Sequence, residues 1–77
     1  MNEQRRKLIR KALDELASVR ADLEAIRDDE QDAYDGMPES FQNGEKGEAA
    51  QEAISNLDDA INNIESAESE AENAIGN

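Results

Sequence analysis

The sequence predicts an all-α protein: an antiparallel two-helix coiled-coil hairpin that dimerises into a four-helix bundle. Three observations lead there. Two long stretches repeat apolar residues at alternating three- and four-residue spacing. Three of the four glycines and the only proline fall in one short segment between those stretches. Charge is also divided along the chain: residues 1–27 hold seven bases and five acids, whereas residues 28–77 hold one base, Lys46, and fifteen acids.

The first helix is expected over about residues 3–35. Ile9, Ala12, Leu16, Val19, Leu23, Ile26, Glu30 and Ala33 follow the seam spacing, with Leu8 and Leu13 beside them. This stripe is wider than a strict two-position seam, which implies more than one neighbour. No glycine or proline interrupts residues 2–35, so the helix would run about 48 Å.

Residues 36–43 form the corner. Gly36 is expected to cap the first helix in the left-handed conformation, and Pro38 then blocks its continuation. A short turn through Glu39, Ser40 and Phe41 follows, and Asn43 is the expected N-cap of the second helix. Gly47 stands near that helix start at a cost in propensity, explained by a bulky neighbour, Tyr34 or Phe41. Tyr34, Met37, Pro38 and Phe41 then have two readings: a plug closing the end of the bundle, or a surface that grips a partner.

The second helix is expected over about residues 44–75. Its seam is Ala50, Ile54, Leu57, Ile61, Ile64, Glu68, Ala71 and Ile75. A column of alanines (Ala53, Ala60, Ala67 and Ala74) runs beside it and permits close approach of another helix.

A short connection makes the helices antiparallel neighbours. The basic start, Arg5, Arg6, Lys7, Arg10 and Lys11, would then lie beside Glu65, Glu68, Glu70 and Glu72. Facing residue numbers sum to about 80 or about 84. The first register, which sets Ala12 opposite Glu68 and Glu30 opposite Ala50, is the preferred one because each seam carboxylate then faces an alanine and reaches water past it. Arg20 and Arg27 come within reach of acids at the seam edge. Two helices cover too little apolar surface alone, so a homodimer is expected. Its core would draw on Ile9, Leu13, Leu16, Val19, Leu23, Ile26, Ile54, Leu57, Ile61 and Ile64.

Composition narrows the function classes. There is no cysteine and no histidine, which removes thiolate and imidazole chemistry and the commonest transition-metal ligands. No cofactor or metal is expected. Counting back from Gly36, the acidic run DDEQDAYD lacks oxygen ligands where a calcium loop needs them. A thin hairpin has no cleft for paired carboxylates, so enzymatic activity is not expected. A net charge of -12 repels nucleic acid and anionic membrane. With no apolar run of membrane-spanning length, a cytoplasmic chain is the default. Exposed Asp28, Asp29, Asp32 and Asp35 read as a solvated acidic face, able to steer a basic protein partner. Alternatively they imitate the phosphates of DNA.

Over residues 28–61 the chain resembles a family of small acidic helical-hairpin proteins from Gram-positive bacteria and their phages or mobile elements. The resemblance rests on Glu30, Gln31, Ala33, Tyr34, Asp35, Met37, Pro38, Glu39, Ser40, Gln42, Glu45, Gly47 and Glu48, a YDxMPES-type corner. This chain has Gly36, Phe41, Gly44 and Lys46 where that pattern has Asn, Leu, Ser and Arg. The resemblance implies an intracellular hairpin of phage or element association, and carries over no catalytic or binding residue. The functional expectation is a non-enzymatic protein-interaction module, an element-encoded binder or inhibitor of a host protein. The alternatives are an acidic DNA mimic and a self-assembling structural module.

Overall fold

A computed structural model describes residues 1–76. Three helices follow in order: α1 (Glu3–Asp35), α2 (Glu39–Gln42) and α3 (Glu45–Gly76). α1 and α3 pack along their lengths as an antiparallel pair, with α2 folded against α3 at one end. The molecule is a rod of 58 × 15 × 12 Å with a radius of gyration of 17.4 Å. A compact chain of this length would have a radius of about 11.5 Å. A rod buries little: among the described residues the buried apolar side chains are Ala50 and Ile61, and neither is wholly enclosed.

α1 starts at a side-chain cap that the sequence reading did not mark. Asn2 is extended, and its Oδ1 accepts from the Arg5 N–H at 2.8 Å. Its carbonyl accepts from the Arg6 N–H at 3.2 Å. One of the orphan donors of the first turn is thereby satisfied.

The corner corrects three local expectations. Gly36 does cap α1, with its N–H donating to the Asp32 carbonyl at 3.0 Å. However, it does so in the right-handed region, at φ -82 and ψ -6. Pro38 then opens α2, whose carbonyl accepts from the Phe41 and Gln42 N–H groups at 2.9 and 3.0 Å. With a proline two residues on, the chain turns without any left-handed residue. Asn43 closes α2, donating its N–H to the Glu39 carbonyl. Gly44 takes the N-cap place of α3 instead, its carbonyl accepting from the Glu48 N–H at 3.0 Å. The third correction concerns Gly47, which is buried. A Cβ there would overlap the Gln42 carbonyl group and stand 2.6 Å from the Gln42 Cα. Backbone rather than a bulky side chain is what passes close.

α3 buries the stripe its spacing indicates. Ala50 and Ile61 are buried, and Ile54, Leu57, Ile64, Glu68, Ala71 and Ile75 are half-buried, as are Ala53, Ala60, Ala67 and Ala74. α1 differs. Ile9, Leu16, Leu23 and Glu30 lie in the covered stripe, but Ala12, Val19, Ile26 and Ala33 are exposed. Leu13, Arg20, Arg27 and Tyr34, each one residue further along, take the remaining covered places. A single neighbour covers only one side of a wide apolar stripe. The side chosen is the one whose long polar side chains meet polar groups of α3, as described below.

Candidate functional site

Two apolar surfaces and one polar seam stand out. The corner surface begins at Tyr34 on the last turn of α1, which is half-buried. Its hydroxyl accepts from the Gln51 side-chain amide at 2.9 Å, and its carbonyl accepts from the Gln42 amide at 3.0 Å. The same carbonyl accepts from the Met37 N–H. Tyr34 is therefore a structural pin joining all three helices. Met37 is half-buried and Pro38 exposed. Phe41 is 50% exposed, and the Lys46 ammonium lies 5.4 Å from its ring centroid. That cation–π contact covers part of one ring face without taking the ring out of water. The plug and the exposed patch are thus divided between residues: Tyr34 and Met37 turn inward, and Phe41 projects.

The second apolar surface lies along α1. Leu8, Val19 and Ile26 are 60, 48 and 53% exposed. With exposed Ala12 they fall within about 40° of one another around the helix axis, forming a row. α3 contributes no exposed large apolar side chain. The alanine column, half-covered inside the hairpin, is not the leftover face.

The seam itself is held by arginines. Arg20 makes a two-pronged contact with Glu68, Nε to Oε1 at 2.7 Å and Nη2 to Oε2 at 3.3 Å, and reaches Glu24 at 3.0 Å. Arg27 bridges Asp58 and Asp28, each at 3.1 Å. A shallow, open depression bordered by Arg20, Glu65, Glu68, Ser69 and Glu72 surrounds the first of these pairs. Glu68 is met by Arg20 rather than by Ala12, so the pairing lies nearer the second of the two registers. The signal for this seam is present in the column Arg6, Leu13, Arg20, Arg27, Tyr34. Long side chains with apolar stems and polar heads cover a seam while reaching water or an acid. An apolar-only search passes over them.

Both arginines are held above their ordinary pKa. For Arg20 the hydrogen bond it donates to Glu68 is the main cause, followed by the one to Glu24; for Arg27 it is the bond to Asp58, followed by the one to Asp28. A cation whose folded value is raised contributes fully below its unfolded value, as long as its acid partner keeps its charge, and on the alkaline side that contribution fades only in strongly alkaline solution. The arginines therefore add no pH sensitivity near neutrality. We expect Arg20→Ala to lower Tm, because Glu68 loses its partner inside the seam. Arg20→Met combined with Glu68→Met should recover wild-type Tm or come close to it, since an apolar pair replaces a half-buried ionic one at little cost. Circular-dichroism melts decide the point: a double variant as unstable as the single one contradicts this account.

The basic start behaves differently from the expected end-to-end pairing. Arg6 and Arg10 contact Glu3 within α1, at 3.6 and 3.2 Å. The Arg6 Nε–H also donates to the Ile75 carbonyl at 3.4 Å. A cation on a last-turn carbonyl suits both the unpaired acceptor and the helix dipole of α3. The cross-helix ion pairs sit further along, at Arg20–Glu68 and Arg27–Asp58.

Asp28, Asp29, Asp32 and Asp35 are all exposed. Asp28, Asp32 and Asp35 share the outer side of α1, while Asp29 lies about 100° from Asp28. Among the described residues no group of three or more acidic side chains is placed to hold a metal ion. No helix of the described residues is long and apolar enough to cross a membrane. No known protein family, curated protein or solved structure matches this chain.

Proposed function

We propose that this chain is a non-enzymatic protein-interaction module: a hairpin that pairs with a second copy along α1 and offers its corner to a protein partner. One observation carries the reading. Apart from Met1 at the start of the chain, the large apolar side chains that the described residues leave outside the hairpin fall on two surfaces, the α1 row and the corner at Phe41. Apolar side chains grouped on a face or on a rigid corner are the usual mark of a contact surface. The corner is rigid because Gly47, Gln42 and Tyr34 tie its backbone to both long helices. The surrounding acids would then steer a basic partner rather than supply most of the affinity. The resemblance of the corner motif to element-borne hairpins supports a host protein as that partner.

Sedimentation equilibrium at micromolar concentration tests the self-association. The expected mass is about twice 8.5 kDa, and a fully helical monomer would overturn the reading. The corner is tested by capture from host extract. A protein retained by the wild type and lost with Phe41→Ala supports it, whereas equal capture by both removes the corner from the proposal.

A further inference from the structure

The α1 row has a charge pattern that selects both its occupant and the direction in which that occupant lies. Ala12 and Ile26 stand equally far from Val19 along the helix, so the middle of the row is symmetric about Val19, while Leu8 has Glu30 at the matching distance on the other side. Exposed Lys11 and Asp29 lie about five turns apart, on one line beside the row. Exposed Arg5 and half-buried Glu30 border its two ends. A surface that is basic at one end, apolar in the middle and acidic at the other is complementary to itself when reversed.

We infer that the α1 row is the contact with a second copy of this chain, laid antiparallel, with the two-fold axis passing near Val19. This rests on the self-association proposed above and goes beyond it by fixing surface and direction. Val19 then meets Val19 of the second copy, Ala12 meets Ile26, Lys11 comes beside Asp29, and Arg5 approaches Glu30. By symmetry each unlike pair occurs twice. A parallel two-fold arrangement instead carries the second copy of Lys11 and of Asp29 to the opposite edge of the contact, so it forms no Lys11–Asp29 pair. Glu15 and Asp22, also exposed at the row's edge, come beside each other twice in the antiparallel contact and oppose it, but the Lys11–Asp29 and Arg5–Glu30 pairs outnumber them. The antiparallel contact is the only one of the two that gains anything from charge. It also leaves the corner, with Phe41, free at both ends of the dimer.

Disulfide trapping reads the geometry directly, since the native chain has no cysteine. Val19→Cys should oxidise to a covalent dimer. Ala12→Cys alone should not, because its two copies would stand about 21 Å apart along the axis. Mixed with Ile26→Cys, it should cross-link efficiently. Self-linking by Ala12→Cys with none in the mixture overturns the antiparallel assignment and leaves the dimer reading intact. Wild-type protein that sediments as a monomer removes both.

A second measurement avoids cysteine altogether. Lys11→Glu and Asp29→Lys should each raise the dimer Kd by about threefold to tenfold, and the two together in one chain should restore it. Asp29→Lys lowers the net negative charge, so tighter association in that variant would show that simple charge repulsion governs the contact and would overturn the inference.

Discussion

Gly47→Ala should lower the stability of the hairpin by about 3 kcal/mol, the upper end of what overpacking costs. For a chain of this size that is a fall in Tm on the order of 15 °C. The reason is what stands in the way. The added Cβ meets the carbonyl group and Cα of Gln42, and main-chain atoms have no alternative rotamer to move into. Relief requires α2 to shift, which pulls the Gln42 amide from the Tyr34 carbonyl at the junction of all three helices. Two other glycines serve as controls. At Gly36 the nearest atom to an added Cβ is the Asp32 carbonyl oxygen, 3.4 Å away, and φ is already negative. Gly36→Ala should therefore hold or gain about 0.5 kcal/mol by restricting the unfolded chain. Gly44→Ala likewise meets only ordinary van der Waals contact, with the Ser40 carbonyl oxygen at 3.4 Å. Thermal melts of the three variants rank them, and a Gly47→Ala chain melting within two or three degrees of the wild type would show that the corner yields easily.

Ile61→Ala and Ile26→Ala remove the same atoms from opposite situations. Ile61 is 4% exposed and is the largest side chain the hairpin buries. Its truncation should cost about 3 kcal/mol, combining lost apolar transfer with the cavity left between two helices that have few other contacts to close it. That loss should be the same at every protein concentration if measured on the hairpin alone. Ile26 is 53% exposed, so in an isolated hairpin its replacement should change stability little, and alanine even favours the helix by a few tenths of a kcal/mol. In a dimer joined along the α1 row the same change removes a central contact. Its signature is then a loss of the concentration dependence of Tm that mass action imposes on a dimer. Melts over a hundredfold range of concentration separate the cases. An Ile26→Ala chain that melts at the same concentration-dependent temperature as the wild type would mean that the row is not the contact.

The length and order of the helices were legible because punctuation and periodicity are local. Gly36 and Pro38 stop α1 wherever it packs, and the apolar spacing on α3 admits one buried stripe, since its large apolar residues lie on no other face. α1 was ambiguous for the opposite reason. Leu13 and Val19, or Arg27 and Ile26, flank the same central column of Ile9, Leu16 and Leu23. Hydrophobicity alone favours Val19 and Ile26. The decision went to the arginines because α3 presents Glu68 and Asp58 to them across the seam.

At the corner, the chain's own residues announce a turn with aromatic area, yet whether Tyr34 or Phe41 points outward depends on Gln42 and Gln51, which arrive from other elements. The role of Gly47 was hidden in the same way: a glycine shows that something approaches, and only the packed backbone shows that it is Gln42. Helix boundaries, charge division and the buried face of α3 thus follow from neighbours in the chain, whose spacing is written in residue numbers. The covered side of α1, the inward Tyr34 and the outward Phe41 follow from groups brought together across the fold, where pairing of polar atoms outweighed the simple preference to hide the larger apolar side chains.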